Sequence, residues 1–540
     1  MQPHFYPIVL AVSAALGTCT LSAQAEVTAM TITRADLAGT FAAGGYVRLE
    51  GEAIGELGPA EPITDLAKAP RNARGKVAYK TRFTLITPLE PKRGNGSLIV
   101  DLPNRGLPVS HALYNSPRSR PLMMGSLDEG TGFLQSRGFM VVAVQWEPGQ
   151  GFEPPSFTEV RKGKNSTRYV DGAGMAAVRD VTQYLRHGPA PANPLAGAVK
   201  WVYATGYSQS AQFLKSYLTQ GFNTWAGGQV FDGVHIVGAA AGQWPPLPVL
   251  PPNAGARAAG RALLSPASPV PRSLQESPLT YDQVLSAMSM RGEQLPKLMV
   301  THFQNDYLAD GASLVRTGAT GTGERPLPAR LRMYDIAGAG HLNVRDQGKA
   351  CKWPYAQLDW SPPLRAQLSA LDAWVKNGQA PPLSAVMPLA PLLPLVPLSQ
   401  SSVGEAAVSA SKSLPQAMVR SLELDSDGNA LGGIRLPDVA VPLATQGALN
   451  APASNPLCRL VGSFRPFART AKGRIATGDL RPSLEERYPG GLSQYTNLVR
   501  QSADALVAQR HVLPEDAAAI VNDAAENPLF QPSPILGRIR

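Results

Sequence analysis

Cysteine, histidine and charge are all scarce in this chain, and each scarcity excludes something. The 3 cysteines and 7 histidines among 540 residues fall at no spacing that a zinc site uses. Charged residues make up only 17% against 44% hydrophobic ones, a balance that excludes a chain disordered throughout. No internal period of about 20–50 residues is present, which excludes a repeat array. Beyond the first 25 residues, no stretch reaches the roughly 18 uninterrupted apolar residues of a membrane span. The net charge is +10, and the densest basic stretches are Arg161-Lys162-Gly163-Lys164 and Arg465 to Arg474. Both stretches read as solvated loops, so no nucleic-acid partner is expected.

Proline is abundant instead, with 50 residues beside 51 glycines, and it clusters. Long Pro-rich loops are expected. The segment Met1–Ala25 carries no Lys, Arg, Asp or Glu, and its apolar run Ile8–Leu16 leads to Ala23-Gln24-Ala25. That is the form of a signal peptide with Glu26 as the mature start, so a periplasmic or secreted protein is expected. A lipoprotein reading at Cys19 meets Thr18 where a small residue should stand. The mature chain keeps Cys351 and Cys458, for which one disulfide is expected; two buried thiols are the alternative.

From residue 26 the pattern is α/β. Weak alternation over 26–58 and firm alternation over Lys76–Ile86 predict antiparallel strands. Short apolar runs at Ser97–Leu102, Phe139–Trp146, Trp201–Thr205, Val234–Val237, Leu298–Phe303 and Leu331–Ile336 then take turns with helical spacing. Helices are expected at Gly130–Ser136, Gly174–Arg186, Gln209–Leu218, Tyr281–Met290 and Leu364–Lys376. The alternation predicts a mainly parallel sheet with flanking helices over a core of 26–380. A Pro/Ala-rich insertion at 243–296 is a candidate lid or a passive loop. Prolines at triplet spacing make 381–420 a linker or a strap. The remainder, 421–540, is expected to pack on the core, with hairpin strands at Leu422–Leu424 and Gly433–Leu436 and helices at Ser493–Gln509 and Pro514–Asn522.

The chemistry concentrates at Trp201–Ala211, where a buried strand runs through Gly206-Tyr207-Ser208-Gln209-Ser210 straight into a helix. A strand–turn–helix around Gly-x-Ser-x-small lifts a serine hydroxyl above the sheet and makes Ser208 a candidate nucleophile. The Gln209 backbone amide, at the helix N-terminus, is a candidate oxyanion donor. In this order of elements the acid and the histidine follow the serine. His341, past the last strand and after Ala337-Gly338-Ala339-Gly340, is the candidate base; His235 and His302 lie within strands and read as structural. Asp306, just beyond the preceding strand, is the candidate acid, with Asp310 its rival. The second oxyanion amide is expected from Pro103-Asn104-Arg105-Gly106, at Arg105 before Asn104. Asp425-Ser426-Asp427-Gly428-Asn429 lacks the distal Glu of a calcium loop and reads as a hairpin turn. No metal and no cofactor is expected.

Several of these segments together resemble a bacterial secreted alpha/beta hydrolase domain family. They are Asn104-Arg105-Gly106, Ala177-Val178-Arg179-Asp180, Gly206-Tyr207-Ser208-Gln209-Ser210, Phe231-Asp232-Gly233, Ala337-Gly338-Ala339-Gly340-His341 and Cys458-Arg459-Leu460. The resemblance runs from about residue 30 to 525 and departs at Ala211, where glycine is frequent, and near Gln304, where an acid is frequent. It implies an α/β-hydrolase fold and a serine hydrolase, and says little about substrate. The expectation is an exported carboxylic ester hydrolase acting on a small-molecule ester through Ser208, Asp306 and His341. An amidase or peptidase on the same residues, or a non-catalytic binding protein, is the alternative.

Overall fold

The computed structural model describes residues 26–530 apart from 162, 171, 227, 243–277, 319–320, 345–349, 392–418 and 453. The expected signal peptide, most of the candidate lid and most of the Pro-rich stretch therefore lie outside the described residues.

The strands that position the site are β1 (Glu26–Phe41), β2 (Gly44–Leu57), β3 (Val77–Pro88), β4 (Ser97–Asp101), β5 (Met140–Val144), β6 (Trp201–Tyr207), β7 (Gly233–Val237), β8 (Lys297–Phe303) and β9 (Leu331–Ile336). They form one sheet in the order β1-β2-β3-β5-β4-β6-β7-β8-β9, and the short strand Phe152–Glu153 adds to β3. The long polar alternation of β1 to β3 suits an antiparallel ribbon. From β5 to β9 every neighbour is parallel. Strands β4, β5 and β7 are buried along their whole length, as parallel strands covered on both faces must be.

Helices α1 (Phe133–Ser136), α2 (Ala173–His187), α3 (Gln209–Thr219), α4 (Tyr281–Met290), α5 (Gln304–Ala309), α6 (Ser361–Asn377), α7 (Gly491–Ala508) and α8 (Pro514–Ala525) flank it. Alternate residues of β4 serve the two layers. Leu98 and Val100 belong to the core cluster of Val178, Leu214 and Val284, whereas Ile99 joins that of Leu364, Val499 and Ile520. Among the described residues, no helix is long and apolar enough to cross a membrane. Thr280 and Gln283 cap α4 reciprocally, which fixes its start where the sequence places it.

Two sequence expectations need correction. Leu422–Leu424 and Gly433–Leu436 do not pair with each other. Leu422 bridges Leu389, Leu424 bridges Ala430 across the Asp425–Asn429 turn, and Ile434 adds in parallel to Ile336 of β9. The edge of the parallel sheet offers these apolar residues unpaired backbone groups, which outcompete a free-standing two-stranded hairpin. The helix expected at Gly130–Ser136 shrinks to four residues, because Gly130 and Gly132 both adopt left-handed backbone.

The segment after α6 runs along the open edge of β9. Ala385 N–H donates to Met333 O at 3.0 Å and Asp335 N–H to Ala385 O at 2.8 Å. The C-terminal helices then close over α6, with Arg365 Nη2 donating to Asp516 Oδ1 at 2.6 Å and Arg365 Nε to Asp516 Oδ2 at 3.0 Å.

Candidate active site

In the sheet order, the chain goes from β4 outward to β5 and then crosses back to β6 on the other side of β4. Such a reversal opens a crevice at the carboxyl ends of the strands. Leu102 N–H bonds Thr205 O at 2.9 Å and Ser208 N–H bonds Val237 O at 2.9 Å, so the ends of β4, β6 and β7 stand side by side at that crevice.

Ser208 is the single residue between β6 and α3, held at φ 59° and ψ −118°. A non-glycine residue there stores strain of about 1–3 kcal/mol, sustained only by its surroundings. Close packing supplies them. A Cβ on Gly206 would sit 2.6 Å from the Ser210 carbonyl oxygen, so the turn admits only glycine at that position. Ser210 stands where glycine is the commoner choice, and its hydroxyl serves the turn. Its Oγ accepts from Tyr207 N–H at 3.0 Å and donates to Tyr207 O at 3.2 Å.

His341 lies on the loop beyond β9. Its Nδ1–H donates to Asp306 Oδ1 at 2.7 Å, while Asp306 Oδ2 accepts Phe303 N–H at 2.8 Å. The carboxylate thus fixes the tautomer that leaves Nε2 as an acceptor. Both side chains are buried, at 3% exposure for His341 and 0% for Asp306. The imidazole stacks on Tyr207, with ring centres 5.1 Å apart and planes 20° from parallel, and the Tyr207 hydroxyl donates to the His341 carbonyl. Gly238, just past β7, leaves the space the ring uses: a Cβ there would approach His341 Cε1 to 3.1 Å. The imidazole is therefore packed against the residues that flank Ser208 on both strands.

Burial, the largest single influence on His341, disfavours its charged form. Attraction to Asp306, the hydrogen bond to it and the charge of Asp310 together outweigh burial, so the net shift is upward. Asp310 also shifts upward, through burial first and the Asp306 charge second, against the pull of His341 and Arg459. The ligand atoms of Asp306, Asp310 and His341 lie within 4.8 Å of one another. The hydrogen bond to the imidazole nevertheless runs to Asp306.

The loop after β4 is a tight turn in which Asn104 and Leu107 exchange both backbone bonds, at 2.9 and 3.0 Å. Its central residues, Arg105 and Gly106, have φ of 50° and 78°. Asp101, pushed up to about 6 by burial against the amides it accepts, ties the loop's far end through Val109 N–H and Ser110 N–H. Asn104 Nδ2 donates to Tyr207 O at 2.8 Å, joining this loop to the serine turn. Arg105 N–H donates to the Gln209 side chain at Oε1, 3.2 Å away, so the candidate oxyanion amides of Arg105 and Gln209 belong to residues in direct contact. Beside them Glu147, beyond β5, is pushed up to about 7 by burial, which outweighs the Arg105 charge and the hydrogen bond from Gln209.

The other singled-out residues have structural partners. His235 is enclosed between Tyr114 Oη at 2.8 Å and Thr301 Oγ1 at 3.0 Å, and burial drives it down to about 3. His302 Nδ1 faces Asp335 Oδ1 at 3.3 Å. Asp425 pairs with Arg435 at 2.7 Å and Asp427 with Arg487, so the turn's carboxylates are spent on arginines. Cys351 and Cys458 are bonded, with Cα atoms 5.7 Å apart. Sequence reasoning passed over Tyr207, Glu147 and Asn305. Asn305 Nδ2 donates to Ala448 O and Arg459 O, both at 2.6 Å, and so couples the acid's helix to the C-terminal segment. Only the position of Tyr207 beside the serine was a usable signal.

A sequence profile described as Alpha/beta hydrolase domain matches residues 21–522. The chain belongs to that family. No curated protein matches it. Among solved structures, the chain is similar to an S-formylglutathione hydrolase from Staphylococcus aureus at 10% identity, covering 44% of this chain and 77% of that one, with a TM-score of 0.21. The esterase Est22 aligns at 15% identity over 42% of this chain and 59% of its own, with a TM-score of 0.22. A rice cell wall degrading esterase, LipA from Xanthomonas oryzae, aligns at 15% over 38% and 49%, with a TM-score of 0.20. Scores this low lend no support to any activity.

Proposed function

We propose that the protein is an exported serine hydrolase that cleaves carboxylic esters. Ser208 Oγ attacks the ester carbonyl carbon while its proton passes to His341 Nε2. The imidazolium formed is stabilised by Asp306 and returns the proton to the departing alcohol, leaving an acyl-enzyme. Water then repeats the sequence, with His341 again as base, and releases the acid and the free serine. The Gln209 amide stabilises the oxyanion, and the Arg105 amide joins it by exchanging its bond to Gln209 Oε1 for the oxyanion. The observation that carries the reading is the 2.7 Å bond from His341 Nδ1–H to buried Asp306, on an imidazole packed against Tyr207, the residue preceding strained Ser208. Bonded cysteines support export, since disulfides persist in oxidising compartments.

The test is hydrolysis of a panel of short activated esters and matching amides by purified protein and by Ser208→Ala. Esters are expected to turn over well and amides much more slowly, because a poor leaving group demands full protonation by His341. Ester hydrolysis that survives in Ser208→Ala would overturn the assignment.

A further inference from the structure

The acid and the base stand on two separate stretches of chain. Asp306 lies in the first turn of α5 and His341 on the loop beyond β9, so their 2.7 Å bond holds only while those stretches keep their register. Two bonds join them just ahead of each residue. Asn305 N–H donates to Ala339 O at 3.1 Å, and Gly338 N–H donates to Gln304 Oε1 at 2.5 Å.

A third stretch, from the C-terminal part of the chain, meets both. Asn305 Nδ2 donates to Ala448 O and to Arg459 O, each at 2.6 Å, across sequence separations of 143 and 154 residues. Leu342 N–H donates to Leu460 O at 3.0 Å, and a Cβ on Gly340 would sit 2.8 Å from the Val461 carbonyl oxygen. The acid's turn, the histidine's loop and residues 459–461 therefore close a triangle. Asn305 contributes to two of its three sides, one through its backbone and one through its side chain. It is 0% exposed, and two carbonyl oxygens facing one amide fix which end is the nitrogen. Its Oδ1 is buried without a hydrogen-bond partner among the described residues, so the side chain serves as a donor only.

We propose that Asn305 is a positioning residue for the acid and the base. It holds the Asp306 carboxylate at bonding distance from the His341 imidazole by tying α5 to the histidine loop and to the C-terminal segment. It touches neither substrate nor the reacting atoms. The inference rests on the ester-hydrolase reading above. Asp306 stabilises the imidazolium that forms in the transition state, so a displaced carboxylate lowers kcat and leaves KM alone. The charged groups that act on the imidazole are Asp306 in α5 and Asp310 at its end, and Arg459 of the C-terminal segment acts in turn on Asp310. Both carboxylates favour the imidazolium, so loosening α5 should lower the histidine's ionisation midpoint.

The experiment compares Asn305→Ala, Asn305→Ser, Asp306→Asn and the double variant Asn305→Ala/Asp306→Asn with wild type, each as a pH–rate profile on one activated ester beside a thermal melt. Asn305→Ala is expected to lose about 10–100-fold in kcat with KM within about threefold, and its midpoint is expected to fall by about half a pH unit or more. Asn305→Ser keeps one donor and should lie between Asn305→Ala and wild type. In the Asp306→Asn background, Asn305→Ala should cost less than about threefold more, because it acts through that carboxylate. The proposal is overturned if Asn305→Ala melts lower but keeps its kcat and midpoint, or if its loss multiplies with that of Asp306→Asn. Should Asn305→Ala not fold, Asn305→Ser carries the same expectation at smaller size, and an unchanged midpoint there overturns it. A wild type with no Ser208-dependent hydrolysis would instead remove the functional reading. Titration of His341 followed by NMR, in the Ser208→Ala background with and without Asn305→Ala, would then still report whether Asn305 holds the pair together.

Discussion

The two sides of the candidate site are built differently. The serine side is mostly local: β6, the turn and α3 follow one another within Trp201–Thr219, and the turn is held by Ser210, by β7 and by one bond from Asn104 in the loop after β4. The histidine side is assembled from afar. Leu342 N–H bonds Leu460 O at 3.0 Å, Ala337 N–H bonds Ile434 O at 3.1 Å, and Gly340 packs against the Val461 carbonyl at a distance a Cβ would reduce to 2.8 Å. The Cys351–Cys458 bond ties the same two stretches across a separation of 107 residues. A nucleophile needs one strained turn, which short-range packing can hold. A base and its acid need a buried polar pocket, and here the C-terminal segment encloses it.

If that division is right, damage to the two sides should differ in kind. The largest effect is expected at the serine, where Ser208→Ala should remove on the order of 10⁶ of kcat with unfolding unchanged, read by steady-state kinetics beside thermal melts.

Asp306→Asn comes next, at about 10³–10⁴ in kcat, because the imidazole loses the partner that fixes its tautomer. Asp310→Asn should cost less than about tenfold and act on pH dependence instead. His341 must be neutral to accept the serine proton, so the rate rises with pH through its ionisation. With His341 shifted upward, that midpoint should lie above the usual histidine value of about 6.5. Removing the Asp310 charge takes away one upward influence and should lower the midpoint in a pH–rate profile. Equal losses from both aspartate variants would contradict the assignment of the acid.

Breaking the bond with Cys458→Ser should act on stability before chemistry. Closing a loop of 107 residues stabilises by about 4–5 kcal/mol in the chain-entropy model, and urea unfolding would show the loss. Activity should fall with the folded fraction at the histidine side. The smallest effect is expected from Tyr207→Phe, which keeps the ring stacked on His341 and removes only the hydroxyl donated to its carbonyl. A reduction of a few-fold in kcat is the expected result.

The same division governs what could be read from the sequence. Alternating strands and helices, the cap at Thr280 and the elbow at Gly206–Ser210 are legible because near neighbours produce them. Asp306 was reachable from strand order, since the residue after β8 must fall beside the loop after β9. Asn305 and Glu147 were not. Each draws its role from a partner more than 60 residues away, and an isolated Asn or Glu in a loop carries no pattern that names such a partner. The pairing of Leu422 and Ile434 failed for a related reason: short apolar runs do not say which open strand edge they will meet.

Activation of Ser208 by His341 is tested most directly by labelling with a fluorophosphonate probe, followed by peptide mass mapping. One adduct is expected on Ser208 in the folded protein, absent from Ser208→Ala and at least a hundredfold slower to form in His341→Ala. A well-folded wild type that takes no label, or labels at another residue, would contradict it.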